Sequence, residues 1–160
     1  MSDSQPLKVL VVCTGNTCRS PMAEVLLQHL FDEAGVAARV RSAGTHAMDG
    51  APAHPDARAT AAAELLDLDG HRAQLLTAGL VRWADIVLGM QRPHLARASE
   101  LDPAADIRLV TEYDQQPDVA GDGVMDPIGW GPEVYRAVFD HLRICLERFV
   151  EPEAGAPDEG

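Results

Sequence analysis

The chain has 160 residues, 46% of them hydrophobic, which is enough for one domain with a sizeable core and requires no second. Its formal net charge of −12 speaks against nonspecific nucleic-acid binding and against attraction to anionic lipid. No apolar run approaches the ~20 residues of a membrane span, no signal segment opens the chain, and three cysteines make no disulfide framework, so a reducing, cytoplasmic setting is expected.

Residues 1–6 read as a flexible lead. Leu7 to Val12 is an apolar, β-branched run that predicts a buried central strand. Ser20-Pro21 then supplies an N-cap with proline at the first helical position. Met22, Val25, Leu26, His29 and Leu30 continue at helical spacing until Gly35 stops the helix.

Between strand and helix stands Cys13-Thr14-Gly15-Asn16-Thr17-Cys18-Arg19-Ser20, a cysteine and an arginine separated by five residues. A loop in that position offers the backbone N–H groups of Thr14 through Arg19, and the positive end of the helix dipole, to a tetrahedral oxyanion such as phosphate. Arg19 adds a planar fork that can hold two phosphoryl oxygens at once, and Cys13 lies beneath the same guest as a nucleophile. Thiols beside cations at helix N-termini ionise at roughly pH 3.5–7.5 in place of ~8.5, so donors that hold the anion also favour a thiolate. A structural cysteine with an unrelated arginine is the plainer alternative. Nucleophile, glycine, arginine, cap and helix all coincide within eight residues, which speaks against it.

Further along, Arg39 to Ser42 predicts a short strand, Pro55 to Leu66 a helix, Thr77 to Trp83 a short helix and Ile86 to Leu88 a buried strand. Pro93 to Leu101 predicts another helix and Ile107 to Val110 a fourth strand; Glu112 to Met125 is polar, proline- and glycine-bearing, and loop-like. The last helix spans Pro132 to Phe149, with Val134, Val138, Leu142, Cys145 and Phe149 as its apolar stripe, and residues 151–160 read as a disordered acidic tail. Alternating strands and helices imply an α/β fold whose parallel sheet is covered on both faces and binds ligands beyond the carboxyl ends of its strands, where Cys13 falls.

Val12 to Glu24, VCTGNTCRSPMAE, resembles the signature of the low-molecular-weight protein-tyrosine-phosphatase family, in a bacterial form. Ser42-Ala43-Gly44, Gly70-His71, Asp85 to Met90 and Asp126-Pro127 follow in that family's order, and the similarity covers residues 7–150. It implies a single three-layer α/β/α domain with a four-stranded parallel sheet in the order 2-1-3-4. It also implies a phosphocysteine mechanism that uses no metal or cofactor, acting on a phosphorylated protein. A bacterial tyrosine kinase is among the partners so implied.

By the same resemblance Cys13, Arg19 and Asp126 are the catalytic residues. Thr14, Gly15, Asn16, Thr17, Cys18 and Ser20 bind substrate, and Ser42 joins the polar network around them. Spacing alone leaves Asp126 open between a general acid and a turn aspartate, Ser20 between a thiolate partner and a helix cap, and Asn16 between a loop brace and a turn residue. Cys18 resembles the second cysteine with which relatives form a reversible disulfide, and is otherwise a small packing residue. Cys145 belongs to the core, and the six scattered histidines suggest surface or structural roles.

Substrate evidence divides. Thr17 resembles the protein-arginine-phosphatase branch, whereas the segments around Ala47 to Gly50, Leu68 to His71 and Met90 to Arg97 resemble bacterial tyrosine phosphatases. Ile128 stands where tyrosine-directed relatives carry an aromatic, and Trp130 either replaces that wall or packs against the last helix. Phosphotyrosine is the leading expectation and phosphoarginine the alternative; an arsenate reductase or a non-catalytic oxyanion carrier ranks lower.

Overall fold

One strand, buried on both faces, sets the architecture. In β1 (Leu7–Cys13) the side chains of Val9 and Val11 belong to one apolar cluster and those of Leu10 and Val12 to another, all fully buried. Such a strand must lie inside a sheet covered on both sides. The computed structural model, which describes residues 5–115 and 121–155, places it there. β1 pairs in parallel with β2 (Ala38–Gly44) on one side and β3 (Ile86–Gly89) on the other, and β3 pairs with β4 (Ile107–Leu109). The strand order is 2-1-3-4, as expected.

Helices α1 (Arg19–Ala34), α2 (Pro55–Ala63) and α5 (Pro132–Gly155) cover the Val9 and Val11 face, burying Met22, Leu26, Phe31, Ala57, Phe139, Leu142 and Leu146. Each fully buried large apolar side chain contributes about 1.5–3 kcal/mol relative to exposure. Helices α3 (Ala78–Trp83) and α4 (Arg92–Leu101) cover the Leu10 and Val12 face through Leu80, Val81 and Ala98. No helix among the described residues is long and apolar enough to cross a membrane.

Several boundaries differ from expectation for identifiable reasons. Helix α1 begins at Arg19 with Cys18 as N-cap, so Pro21 is its third residue and Ser20 does not cap it. Proline is tolerated there because first-turn N–H groups have no intrahelical acceptor. Helix α2 ends at Ala63, three residues early, because Leu65 takes a left-handed backbone (φ 63°) and Leu66 N–H returns to Ala61 C=O at 2.9 Å. β4 stops at Leu109, and Val110–Tyr113 forms a 3-10 turn that takes in the last residue of the expected strand and the first two of the segment expected to be loop. The stop at Gly35 holds, with φ 72° at the end of α1. Helix α5 continues to Gly155, past the expected start of the tail at residue 151; residues 156–160 and 1–4 lie outside the described residues.

At the carboxyl edge, Cys13 pairs with Gly44 and Val12 with Gly89. The chain leaves β1 for β2 on one side and reaches β3 on the other, so the crevice outside Cys13 is a topological switch point. Gly44 is required there: a Cβ at that position would lie 2.4 Å from Thr14 C=O.

Candidate active site

Residues 14–18 form a tight loop between the end of β1 and α1, with Asn16 in the left-handed region (φ 57°) that its short amide tolerates. Its carbonyls are drawn outward by surrounding donors. Cys13 C=O accepts from Thr45 N–H (2.9 Å), Thr14 C=O from His46 N–H (2.9 Å) and Thr17 C=O from His54 N–H (2.9 Å). Asn16 C=O accepts from His71 Nε2 (2.8 Å). In a trans peptide the N–H points opposite to the C=O before it. Outward carbonyls at Cys13, Thr14, Asn16 and Thr17 therefore turn the N–H groups of Thr14, Gly15, Thr17 and Cys18 inward.

Those N–H groups face a cavity of about 140 Å³ lined by Cys13, Thr14, Gly15, Thr17, Cys18, Arg19, Asp126 and Ile128. The strand end supplies Cys13, the loop and helix start supply the donors, and the segment before α5 supplies Asp126.

Behind the loop runs a buried polar network. Ser20 Oγ lies 2.8 Å from Cys13 Sγ, and Asn16 Nδ2 donates to both Ser20 Oγ (2.8 Å) and Ser42 Oγ (2.9 Å). Asn16 Oδ1 accepts from Gln74 N–H at 2.9 Å, and Ser42 Oγ donates to Glu24 at 2.5 Å. Burial pushes the Glu24 carboxyl up from its ordinary range, with the Ser42 hydrogen bond opposing the shift. Ser20 thus contacts Cys13 as well as standing in the first turn of α1, and Asn16 links Ser20 to Ser42 behind the loop.

Arg19 is 2% exposed and is held as a fork. Its Nη1 donates to Gln91 Oε1 (2.8 Å) and Val124 C=O (2.9 Å), while Nη2 reaches Thr14 Oγ1 (3.5 Å) and lies 3.6 Å from Asp126 Oδ2. Asp126 is half-exposed at the cavity mouth, its Oδ1 accepting from Ile128 N–H at 3.1 Å. Gly123, at φ 97°, lets the segment approach, since a Cβ there would lie 2.1 Å from Met90 C=O.

His94 has no counterpart among the sequence-derived candidates. Burial, and then the nearby Arg19 guanidinium, push it down to about 4. Its Nδ1 accepts from Gln91 N–H (3.0 Å), which places the ring proton on Nε2, 2.9 Å from Thr14 Oγ1. His54 stacks on Tyr135 with ring centroids 5.2 Å apart and accepts from Asp56 N–H at the start of α2. Histidines 54, 71 and 94 thus brace the loop structurally. Nothing in their spacing signals it, because each reaches the loop from a different element.

The three cysteines differ. Cys13 shares the cavity with Arg19; Cys18 lines its wall, with Sγ 3.2 Å from Tyr135 OH, and burial pushes its thiol up. Cys145 is fully buried on α5, pushed up to about 12, and does not line the cavity. Trp130 is 68% exposed and so does not pack into the core beside α5, and it stands outside the residues that line the cavity.

Residues 8–154 match the family model described as low molecular weight phosphotyrosine protein phosphatase. The chain is 36% identical to the low molecular weight protein-tyrosine-phosphatase Wzb of Escherichia coli (strain K12), over 89% of this chain and 92% of the relative. It is also 36% identical to the protein-arginine-phosphatase of Geobacillus stearothermophilus, over 91% and 95%. The crystal structure of a YwlE mutant from Bacillus subtilis superposes with a TM-score of 0.84 at 30% identity, covering 92% of this chain and 98% of that one. A match over nearly the whole chain, on the fold and loop just described, makes this protein a member of the low molecular weight phosphotyrosine protein phosphatase family.

Proposed function

We propose that this chain hydrolyses phosphotyrosine in proteins through a phosphocysteine intermediate. The observation that carries this reading is the convergence of Cys13, Arg19 and Asp126 on one small cavity floored by inward-facing amides. The Cys13 thiolate attacks phosphorus, forming the P–S bond as the P–O bond to the substrate breaks. The amides of residues 14–19 and the Arg19 fork hold the phosphoryl oxygens, where charge is greatest in the transition state. Asp126 protonates the departing phenolate, then accepts a proton from the water that attacks phosphorus and breaks the P–S bond. Ser20 stabilises the thiolate as it leaves. Thr14, Gly15, Asn16, Thr17 and Cys18 complete the phosphate-binding loop.

Ile128 on the cavity wall and exposed Trp130 two residues on offer apolar ground to an aryl ring and its flanking residues, which favours phosphotyrosine. A second reading, phosphoarginine, rests on Thr17: it lines the cavity where the resemblance gives the arginine-directed branch a threonine, and a relative named for that activity is equally identical. An arsenate reductase needs relay thiols, and Cys145 is walled off on α5. A thiolate nucleophile needs a reducing compartment, so we assign the cytoplasm, with a phosphorylated tyrosine kinase among the protein substrates.

Initial rates on matched phosphotyrosine and phosphoarginine peptides, with Cys13→Ser as blank and Thr17→Ile alongside, test the assignment. Preference for phosphotyrosine little altered by Thr17→Ile supports it. Preference for phosphoarginine that Thr17→Ile abolishes replaces it with the second reading.

A further inference from the structure

Away from the catalytic cavity, three side chains that share no role in phosphate chemistry converge between α5 and the segment after the 3-10 turn. His141 and Cys145 stand four residues apart on α5, the spacing that puts two side chains on one helix face. Asp114 follows Val110–Tyr113 and meets them from outside the helix. One ligand atom from each lies within 4.8 Å of the other two, and His141 Nε2 is 2.6 Å from Asp114 Oδ2.

The structure assigns to Asp114, His141 and Cys145 a binding site for a soft divalent cation of the zinc type. Tetrahedral zinc holds sulfur at about 2.3 Å and nitrogen or oxygen at about 2.0–2.2 Å, which separates neighbouring ligand atoms by roughly 3.3–3.6 Å. The present spacing reaches that geometry with shifts on the order of 1 Å. The imidazole and carboxylate move apart as the cation takes the place of the proton between them, and the thiol closes in. The donor set is one sulfur, one nitrogen and one oxygen. A thiolate selects zinc-like ions over magnesium or calcium, which take oxygen ligands.

Charge and access agree with this assignment. Thiolate and carboxylate together carry −2, which a dication neutralises, and the chain as a whole carries −12. Cys145 is fully buried, while His141 and Asp114 are 31% and 16% exposed, so the site opens to solvent on the side away from sulfur and admits water as a fourth ligand. Binding displaces the Cys145 thiol proton to solvent. It also ties Asp114, at the root of the segment that leads to Asp126, to helix α5.

The test uses the full-length Cys13→Ser/Cys18→Ser protein, in which the loop thiols cannot compete. Zn²⁺ is titrated against a chromophoric chelator, and Co²⁺ is added separately to read the near-ultraviolet thiolate-to-cobalt charge-transfer band. The expected result is one equivalent of zinc, a cobalt band, loss of the band in Cys145→Ala, and at least tenfold weaker zinc binding in both Cys145→Ala and His141→Gln. His141→Gln alters a partly exposed side chain and decides alone if Cys145→Ala does not fold. Absence of zinc binding, or affinity unchanged by His141→Gln, overturns the site.

Discussion

Arg19 Nη1 donates to the backbone carbonyl of Val124 at 2.9 Å, so the residue proposed to clamp phosphate also positions the segment carrying Asp126. The same segment is pinned from the other side by Val124 N–H to Met90 C=O at 2.8 Å. Both contacts depend on the close approach at Gly123.

Gly123→Ala tests that dependence. Alanine at φ 97° is strained by about 1–3 kcal/mol, and its Cβ would lie 2.1 Å from Met90 C=O, so the segment must move. A displacement on the order of 1 Å at Asp126 lowers kcat by roughly 10²-fold. The expected signature is a larger loss in kcat on an aryl phosphate than in phosphate affinity, with a lowered melting temperature. Unchanged kcat would show that Asp126 is placed by other contacts.

Ser20→Ala removes the hydroxyl 2.8 Å from Cys13 Sγ and one of two acceptors for Asn16 Nδ2. A hydrogen bond to a charged group is worth about 1.5–3 kcal/mol, which corresponds to a loss of roughly ten- to a hundred-fold in rate. Alkylation of Cys13 by iodoacetamide should change in parallel, because the lost hydroxyl contacts the attacking sulfur directly. Slower hydrolysis with unchanged alkylation would assign Ser20 to loop shape alone.

His94 links the site to pH-dependent stability. An exposed histidine titrates near ~6.5, whereas burial and Arg19 push His94 down to about 4. The unfolded chain therefore binds a proton that the folded chain refuses, so the contribution is complete above pH ~6.5 and is lost as pH falls towards 4. Between pH 7 and pH 5 the wild type should lose about 2 kcal/mol more unfolding free energy than His94→Gln, measured by urea denaturation. Equal losses in the two proteins would show that His94 is not held neutral by the fold.

The phosphate loop was legible because its chemistry is contiguous: nucleophile, glycine and arginine stand within seven residues, and Leu7 to Val12 announces a buried strand by composition alone. What surrounds the loop was not. Gln91, His94, His71 and Gln74 each reach it across tens of residues, and no local period marks them. Ser20 misled the helix start because a serine before proline is a good cap by local preference, yet its hydroxyl has a tertiary partner in Cys13. Leu65 misled the end of α2 because a left-handed leucine is disfavoured locally and held by the Leu66 to Ala61 hydrogen bond. At Ser20 local propensity failed because a tertiary contact with Cys13 decided the backbone; at Leu65 it failed because a local helix-ending hydrogen bond did.

Asp126 carries the sharpest test of mechanism. It lies half-exposed at the mouth, 3.6 Å from Arg19, too long for a tight ion pair and open to a leaving group entering between Ile128 and the loop. Asp126→Asn keeps the shape and removes the proton. General acid catalysis contributes typically 10²–10⁴-fold, and the need for it grows with the basicity of the leaving group. Hydrolysis of phenyl phosphate should therefore fall within that range, while p-nitrophenyl phosphate, whose phenolate leaves unaided more readily, should fall less. Release of p-nitrophenol should show a pre-steady-state burst in Asp126→Asn if hydrolysis of the Cys13 phosphothioester also relies on this carboxylate. Equal losses for both substrates would remove Asp126 from the proton-transfer step.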